Sequence, residues 1–234
     1  LYKYAENELQ LVEFPEHKQE EKDFAYALIL CGYGNYYDAI SLINFTYEEM
    51  TGGGLYKDIP VPLHYVSYPL AWKDLIYREY SSVDPCLVSG LIREESHYKP
   101  SILSPAGAIG LMQIMPETGQ NIASRKGVKI TDTDLKDPNI NIPFGIYYLS
   151  SVYKDLYDNE VLALAGYNGG PWNAGHWWKT RYNGDIDEFV ENIPYRETRD
   201  YVKRVLRSYW EYKRLYDTKQ PDYLSYYDYK VKDE

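Results

Sequence analysis

The sequence predicts a mainly α-helical protein with at most a small β element, on three observations. Apolar residues recur at helical spacing in the long segments, as in Ile142, Ile146, Leu149, Val152, Tyr153 and Leu156. Helix starts are marked by an oxygen-bearing side chain followed by proline, at Asp84-Pro85 and Asp137-Pro138. The run Asn168-Gly169-Gly170-Pro171 stops one helix and starts the next. At 234 residues the chain is long enough for one domain with a sizeable core and a smaller appendage.

Residues 1 to 66 read as a helical segment of their own. Lys22 to Leu30 and Tyr36 to Phe45 flank the turn Gly32-Tyr33-Gly34-Asn35, which predicts an α-hairpin. The spacing of Ala27, Leu30, Gly32, Tyr36 and Ala39 resembles a tetratricopeptide hairpin, a unit that cannot bury its face alone. It packs on the next domain, ends a longer helical array, or stands as an isolated scaffold hairpin. Thr51-Gly52-Gly53-Gly54 reads as a flexible connection, since no Lys-Ser or Lys-Thr follows to make it a phosphate loop.

A first helix is expected over Ala71 to Tyr80, with Leu75 and Ile76 inward. The next begins at Asp84-Pro85. At about 100° per residue, Leu87, Val88, Leu91 and Ile92 share one side, and Glu95 projects onto the middle of that stripe. Glu94 falls about 90° away and Arg93 nearly opposite, so one carboxylate of the adjacent pair is aimed inward. A carboxylate in low dielectric keeps its proton to higher pH, which is what a general acid needs. The competing reading is a glutamate at a helix end, turned to solvent or paired with Arg93 or Lys99.

Ser96 leads into a short loop and then Ala106-Gly107-Ala108-Ile109-Gly110-Leu111-Met112-Gln113-Ile114-Met115-Pro116-Glu117-Thr118. Small residues there let the backbone approach a ligand, and Gln113 offers it a donor and an acceptor. A short helix follows towards Ala123, ending near Gly127, and Asp137-Pro138 opens the long one. Val161 to Tyr167 is a short apolar helix. Trp172, Trp177 and Trp178 read as helix contacts, with a sugar-stacking role for at most one. Beyond Phe189 to Thr198, the residues Tyr201, Val202, Val205, Leu206, Tyr209, Tyr212 and Tyr216 continue a helix, and residues 218 to 234 read as a loosely attached polar tail.

Formal charge is -10 and the isoelectric point about 5.0, which argues against a nucleic-acid footprint. The 28 tyrosines suit carbohydrate surfaces, although helix contacts account for most of them. No apolar run is long enough to span a bilayer, and no signal peptide stands at Leu1, so the chain reads as a mature or trimmed fragment. Cys31 and Cys86 are too few for a disulfide framework and read as buried helical thiols. His17, His64, His97 and His176 lack metal-ligand spacing, so neither a metal nor another cofactor is expected.

Glu95-Ser96, Gly110-Leu111-Met112-Gln113 and Met115-Pro116-Glu117-Thr118 together resemble the signature of the lytic transglycosylases of glycoside hydrolase family 23. The likeness runs from Tyr68-Pro69-Leu70-Ala71-Trp72 to about Tyr216. It includes Asp137-Pro138-Asn139-Ile140-Asn141-Ile142, Gly166-Tyr167-Asn168-Gly169-Gly170-Pro171 and Ile193-Pro194-Tyr195-Arg196-Glu197-Thr198. The resemblance implies a mainly α, lysozyme-like (α+β) catalytic domain over 67–217, after a hairpin segment 1–66 that ends a superhelical domain or stands alone, and before a tail 218–234. It implies Glu95 as the catalytic acid and base. It further implies that Ser96, Gln113, Met115, Tyr167, Asn168 and Glu197 bind substrate, with Tyr167 beside the acid. Gly166 and Gly169 stand where alanine is usual, which predicts looser packing there without lost chemistry.

The activity so implied is cleavage of the β-1,4 bond between N-acetylmuramic acid and N-acetylglucosamine in peptidoglycan, leaving a 1,6-anhydro end, in the periplasm or cell envelope. Glu95 would serve alone, where most glycosidases use two carboxylates. The alternatives are a goose-type-lysozyme-like muramidase that hydrolyses the same bond, and a non-catalytic wall-binding protein. Peptidoglycan is itself acidic through its peptides and lactyl groups, so an acidic chain should bind it with modest salt dependence.

Overall fold

Side-chain oxygens and prolines at first turns organise the larger part of this chain. The computed structural model describes residues 2–15, 18–51, 61–79 and 82–217. Four helices come first: α1 (Tyr2–Leu11), α2 (Gln19–Gly32), α3 (Tyr36–Thr51) and α4 (Val61–Ser67). Eight follow: α5 (Lys73–Arg78), α6 (Pro85–Ser96), α7 (Pro116–Lys126), α8 (Pro138–Asp155), α9 (Glu160–Gly169), α10 (Pro171–Arg181), α11 (Ile186–Glu191) and α12 (Arg196–Tyr212). The chain divides into two compact units, Leu1–Ala71 with Leu215–Glu234, and Trp72–Arg214.

In the first unit, α2 and α3 form the expected hairpin around Gly34, whose φ of 77° needs a residue without a side chain. Ala27, Leu30, Ala39 and Ile43 make its core. Val66 of α4 joins that core and closes part of the hairpin's open face, while Tyr216 donates to the Tyr68 carbonyl at 2.7 Å. The helices α1 and α4 were not foreseen, because neither carries a capped, strongly periodic pattern. The glycine connection at 52–54, His17 and the 218–234 tail lie outside the described residues.

The second unit is built on α6. Asp84 accepts from the Cys86 amide at 2.8 Å, Pro85 follows it, and Leu87, Val88, Leu91 and Ile92 are sealed from solvent. The helix α12 lies along α6. A Cβ at Gly90 would sit 2.9 Å from the Tyr209 amide nitrogen, so only glycine permits this approach of the two backbones. Tyr98 and Tyr212 join hydroxyls beside the crossing, and Tyr98 also donates to the Ser89 carbonyl at 3.1 Å.

Asp137 caps α8 through the Asn139 amide at 2.9 Å, and the stripe Ile142, Ile146, Leu149 and Val152 is buried. No strand forms among the described residues. The small β element reduces to two isolated antiparallel bridges, Leu103 with Ile109 and Ile109 with Ile114. Buried Asn141 fixes that loop: its Oδ1 accepts from the Met112 amide at 2.7 Å, and its Nδ2 donates to the Ile109 and Leu135 carbonyls at 2.9 and 2.7 Å. Gly110 passes so close that a Cβ would meet the Leu135 carbonyl oxygen at 2.4 Å.

Candidate active site

The last turn of α6 carries Arg93, Glu94 and Glu95, and α12 meets all three. Glu94 lies against the Arg93 guanidinium at 2.7 Å, faces the Arg204 Nε at 3.7 Å and accepts from the Ser208 hydroxyl. Its side chain is only 9% exposed. The expectation that just one carboxylate of the pair turns inward is therefore corrected: both are enclosed, and Glu94 is the one neutralised by cations. The helical projection missed this because α12 presents Arg204 and Ser208 to that side of α6.

Glu95 has no such cation at hydrogen-bonding distance. Its Oε1 accepts from the Tyr201 hydroxyl at 2.7 Å, and part of the side chain stays open to solvent. Burial pushes its carboxyl up from 4.5 to about 7, against the opposing pull of the Tyr201 hydrogen bond and the Arg204 charge. The charges of Glu94 and Glu197 add to the upward push. A carboxylic acid that is reachable and still protonated near neutrality can give a proton and take one back.

Two phenols complete the surroundings. Tyr201 and Tyr167 are both raised well above the ordinary phenol value, first by burial and then by the Glu95 charge, so both remain hydrogen-bond donors. Tyr167 gives its proton to the Met112 carbonyl at 2.7 Å and packs its ring on Tyr148 at 5.2 Å. Tyr201 was missed as a site residue. On α12 it reads as one more member of the apolar stripe, and only the pairing of α12 with α6 brings it to Glu95.

Gln113 adopts a left-handed backbone, φ 47°, and its side-chain amide Nε2 donates to the Gly110 carbonyl at 2.8 Å. Met115 is 43% exposed and Glu197 stands exposed in the first turn of α12. Asn168, at the end of α9, accepts from the Thr198 hydroxyl at 2.7 Å and so ties that end to α12. Ser96 is 1% exposed and its hydroxyl returns to the Ile92 carbonyl at 3.0 Å. A substrate-binding role for Ser96 is thus corrected to a helix-internal one.

The looser packing expected at Gly166 and Gly169 is absent. A Cβ at Gly166 would meet Leu156 Cδ1 and Val152 Cγ1 at 2.8 Å, and one at Gly169 would meet Thr198 Oγ1 at 2.9 Å. Neighbouring side chains already occupy the space that an alanine methyl would use at each position. Of the tryptophans, Trp177 is buried and Trp178 stacks on Tyr182, while Trp172 is 78% exposed and stacks on His176. Among the described residues, no three His, Cys, Asp or Glu side chains come together to hold a metal ion.

Helices packed around a single half-sheltered acid define the lysozyme-like class. Residues 76–190 match the Transglycosylase SLT domain. The soluble lytic murein transglycosylase of Escherichia coli K12 is 37% identical over 165 residues, which is 68% of this chain and 25% of that protein. An inactive variant of the lytic transglycosylase Slt from Pseudomonas aeruginosa superposes with a TM-score of 0.71 at 29% identity, over 86% of this chain and 31% of that one. For the 70 kDa soluble lytic transglycosylase of Escherichia coli the TM-score is 0.64 at 26% identity, over 86% and 37% of the two chains. By its residues 76–190 the chain belongs to the SLT family of lytic transglycosylases. It spans about a quarter of the length of the curated soluble relative from Escherichia coli.

Proposed function

We propose that this chain is the catalytic portion of a peptidoglycan lytic transglycosylase working in the periplasm or cell envelope, with residues 67–217 as its catalytic domain. The observation that carries the reading is the Glu95 carboxyl, raised to about 7 and held by Tyr201 through one oxygen. The other oxygen is left to hand its proton to the glycosidic oxygen between N-acetylmuramic acid and N-acetylglucosamine. As the bond breaks, positive charge grows on the muramyl anomeric carbon, and the substrate's own acetamido group and the newly formed Glu95 carboxylate steady it. That carboxylate then removes the proton from the muramyl 6-hydroxyl, whose oxygen closes on the anomeric carbon.

The attacking hydroxyl belongs to the same sugar, so proximity supplies what an external water would lack. Glu95 ends protonated, as it began. Gln113, Met115, Tyr167, Asn168 and Glu197 bind and orient the glycan in this reading, with Tyr167 stiffening the Met112 carbonyl.

Mass spectrometry of digested cell wall tests the proposal. Anhydromuropeptides, lighter by one water than hydrolysis products, are the expected result, and Glu95→Gln should cut their formation by about a hundredfold to ten-thousandfold. Products with reducing ends only would establish a lysozyme-type hydrolysis in its place.

A further inference from the structure

The helix α6 ends on two neighbouring glutamates, and a single arginine of α12 acts on both. Tyr201, Arg204 and Ser208 recur at helical spacing on α12, and all three meet the last turn of α6. Tyr201 gives its hydrogen bond to Glu95, whereas Arg204, less than one turn further along, sets its Nε 3.7 Å from Glu94 Oε2. The Arg204 charge still reaches Glu95, where it favours the carboxylate. Its side chain is 46% exposed, so packing alone does not fix which of the two carboxyls it serves.

What fixes it is the hold on Glu94. One oxygen, Oε1, is taken by the Arg93 guanidinium and the Ser208 hydroxyl, which turns the other towards Arg204. A carboxylate enclosed to this degree needs its cations, so the pairing is demanded by burial. A guanidinium seated on Glu95 would instead favour its charged form and strip the proton the chemistry needs. Glu94 thus does two things at once: it occupies Arg204, and its own charge helps Glu95 to keep its proton. Glu197 on α12 pushes the same way, and the phenols Tyr201 on α12 and Tyr167 on α9 do not titrate near neutrality. His97, just past α6, feels Arg93, Glu94 and Arg204; burial and then Arg93 lower it from 6.5, so it titrates on the acid side of Glu95.

We propose that Glu94 is a positioning residue for the reaction: by holding the Arg204 guanidinium it denies Glu95 a counter-ion and makes Glu95 the carboxyl of the adjacent pair that exchanges protons with substrate. The inference rests on the acid-and-base role given to Glu95 above. Glu94 itself is enclosed between α6 and α12 and acts only through Arg204 and its own charge. Substrate binding is therefore not its task, and its effect falls on kcat and on the pH at which activity is lost.

A charge-removal cycle on the full chain tests this, with the Glu95 carboxyl titrated by NMR and turnover followed against pH. Glu94→Gln keeps the shape and an oxygen for Ser208 but frees Arg204, so the Glu95 midpoint should fall by about one pH unit. The alkaline limb of kcat should follow it, with kcat at pH 7 reduced about fivefold and KM held. Arg204→Gln, at a half-exposed position, should move the midpoint the other way, and the Glu94→Gln, Arg204→Gln double variant should recover at least half of the fall. A merely structural Glu94 predicts otherwise: lower stability, an unmoved midpoint, and a double variant no better than Glu94→Gln alone. Any of these last two results in folded protein would overturn the proposal, and if Glu94→Gln does not fold, an unmoved or lowered midpoint in Arg204→Gln would do so. Failure of the transglycosylase reading would appear elsewhere, as products with reducing ends only while the midpoints shift as described.

Discussion

At position 95 the carboxyl binds its proton more tightly in the folded chain, at about 7, than its ordinary value of 4.5. Ionising it therefore costs the native state as pH rises through that interval, and the cost is absent below about pH 4.5, where folded and unfolded chains both hold the proton. Glu95→Gln should consequently stabilise the protein by about 1–3 kcal/mol near pH 8 and leave it unchanged near pH 4, as read by thermal unfolding. At Tyr201 the sign is opposite to intuition. Its hydrogen bond favours the carboxylate, so Tyr201→Phe should move the alkaline limb of the activity profile upward by about one pH unit. A downward movement would mean that the phenol supports the protonated form. Glu95 was legible at this scale because a motif and a helical stripe both pointed to it. Its phenolic partner was not, since Tyr201 stands 106 positions away and its role exists only in the folded pair.

Between elements, the contact that matters is α6 with α12. It sets Tyr201 against Glu95, Arg204 and Ser208 against Glu94, and it depends on the absent side chain of Gly90. Gly90→Ala should push the helices apart and cost about 1–3 kcal/mol, with activity falling further than melting temperature alone accounts for. Urea unfolding alongside turnover checks both. An alanine variant as stable and active as the parent would show that the crossing tolerates a shift. The starts of α6 and α8 could be read from Asp84-Pro85 and Asp137-Pro138, because a cap is a local arrangement of a few residues. The inward turn of Glu94 could not, because Arg204 and Ser208, which enclose it together with the adjacent Arg93, lie more than 100 positions further on. Asn141 belongs to the same class: its residue type marks no chemistry, yet it ties the Met112 amide to two carbonyls and so shapes the loop beside Glu95.

For the molecule as a whole, net charge gave a correct average and a poor map. A chain at -10 neutralises Glu94 with two arginines and leaves Glu95 with a phenol. Burial in the folded second unit does the remaining work, and that burial is a product of many helices together. The proposed chemistry thus turns on whether folding itself keeps Glu95 protonated near neutrality. Carbon-13 NMR of the glutamate side-chain carboxyls, with Glu95 assigned by comparison to Glu95→Gln, measures this directly in native and urea-unfolded protein. A midpoint near 7 in the folded chain and near 4.5 once unfolded is the expected result; a folded midpoint at 4.5 would rule out Glu95 as the proton donor described above.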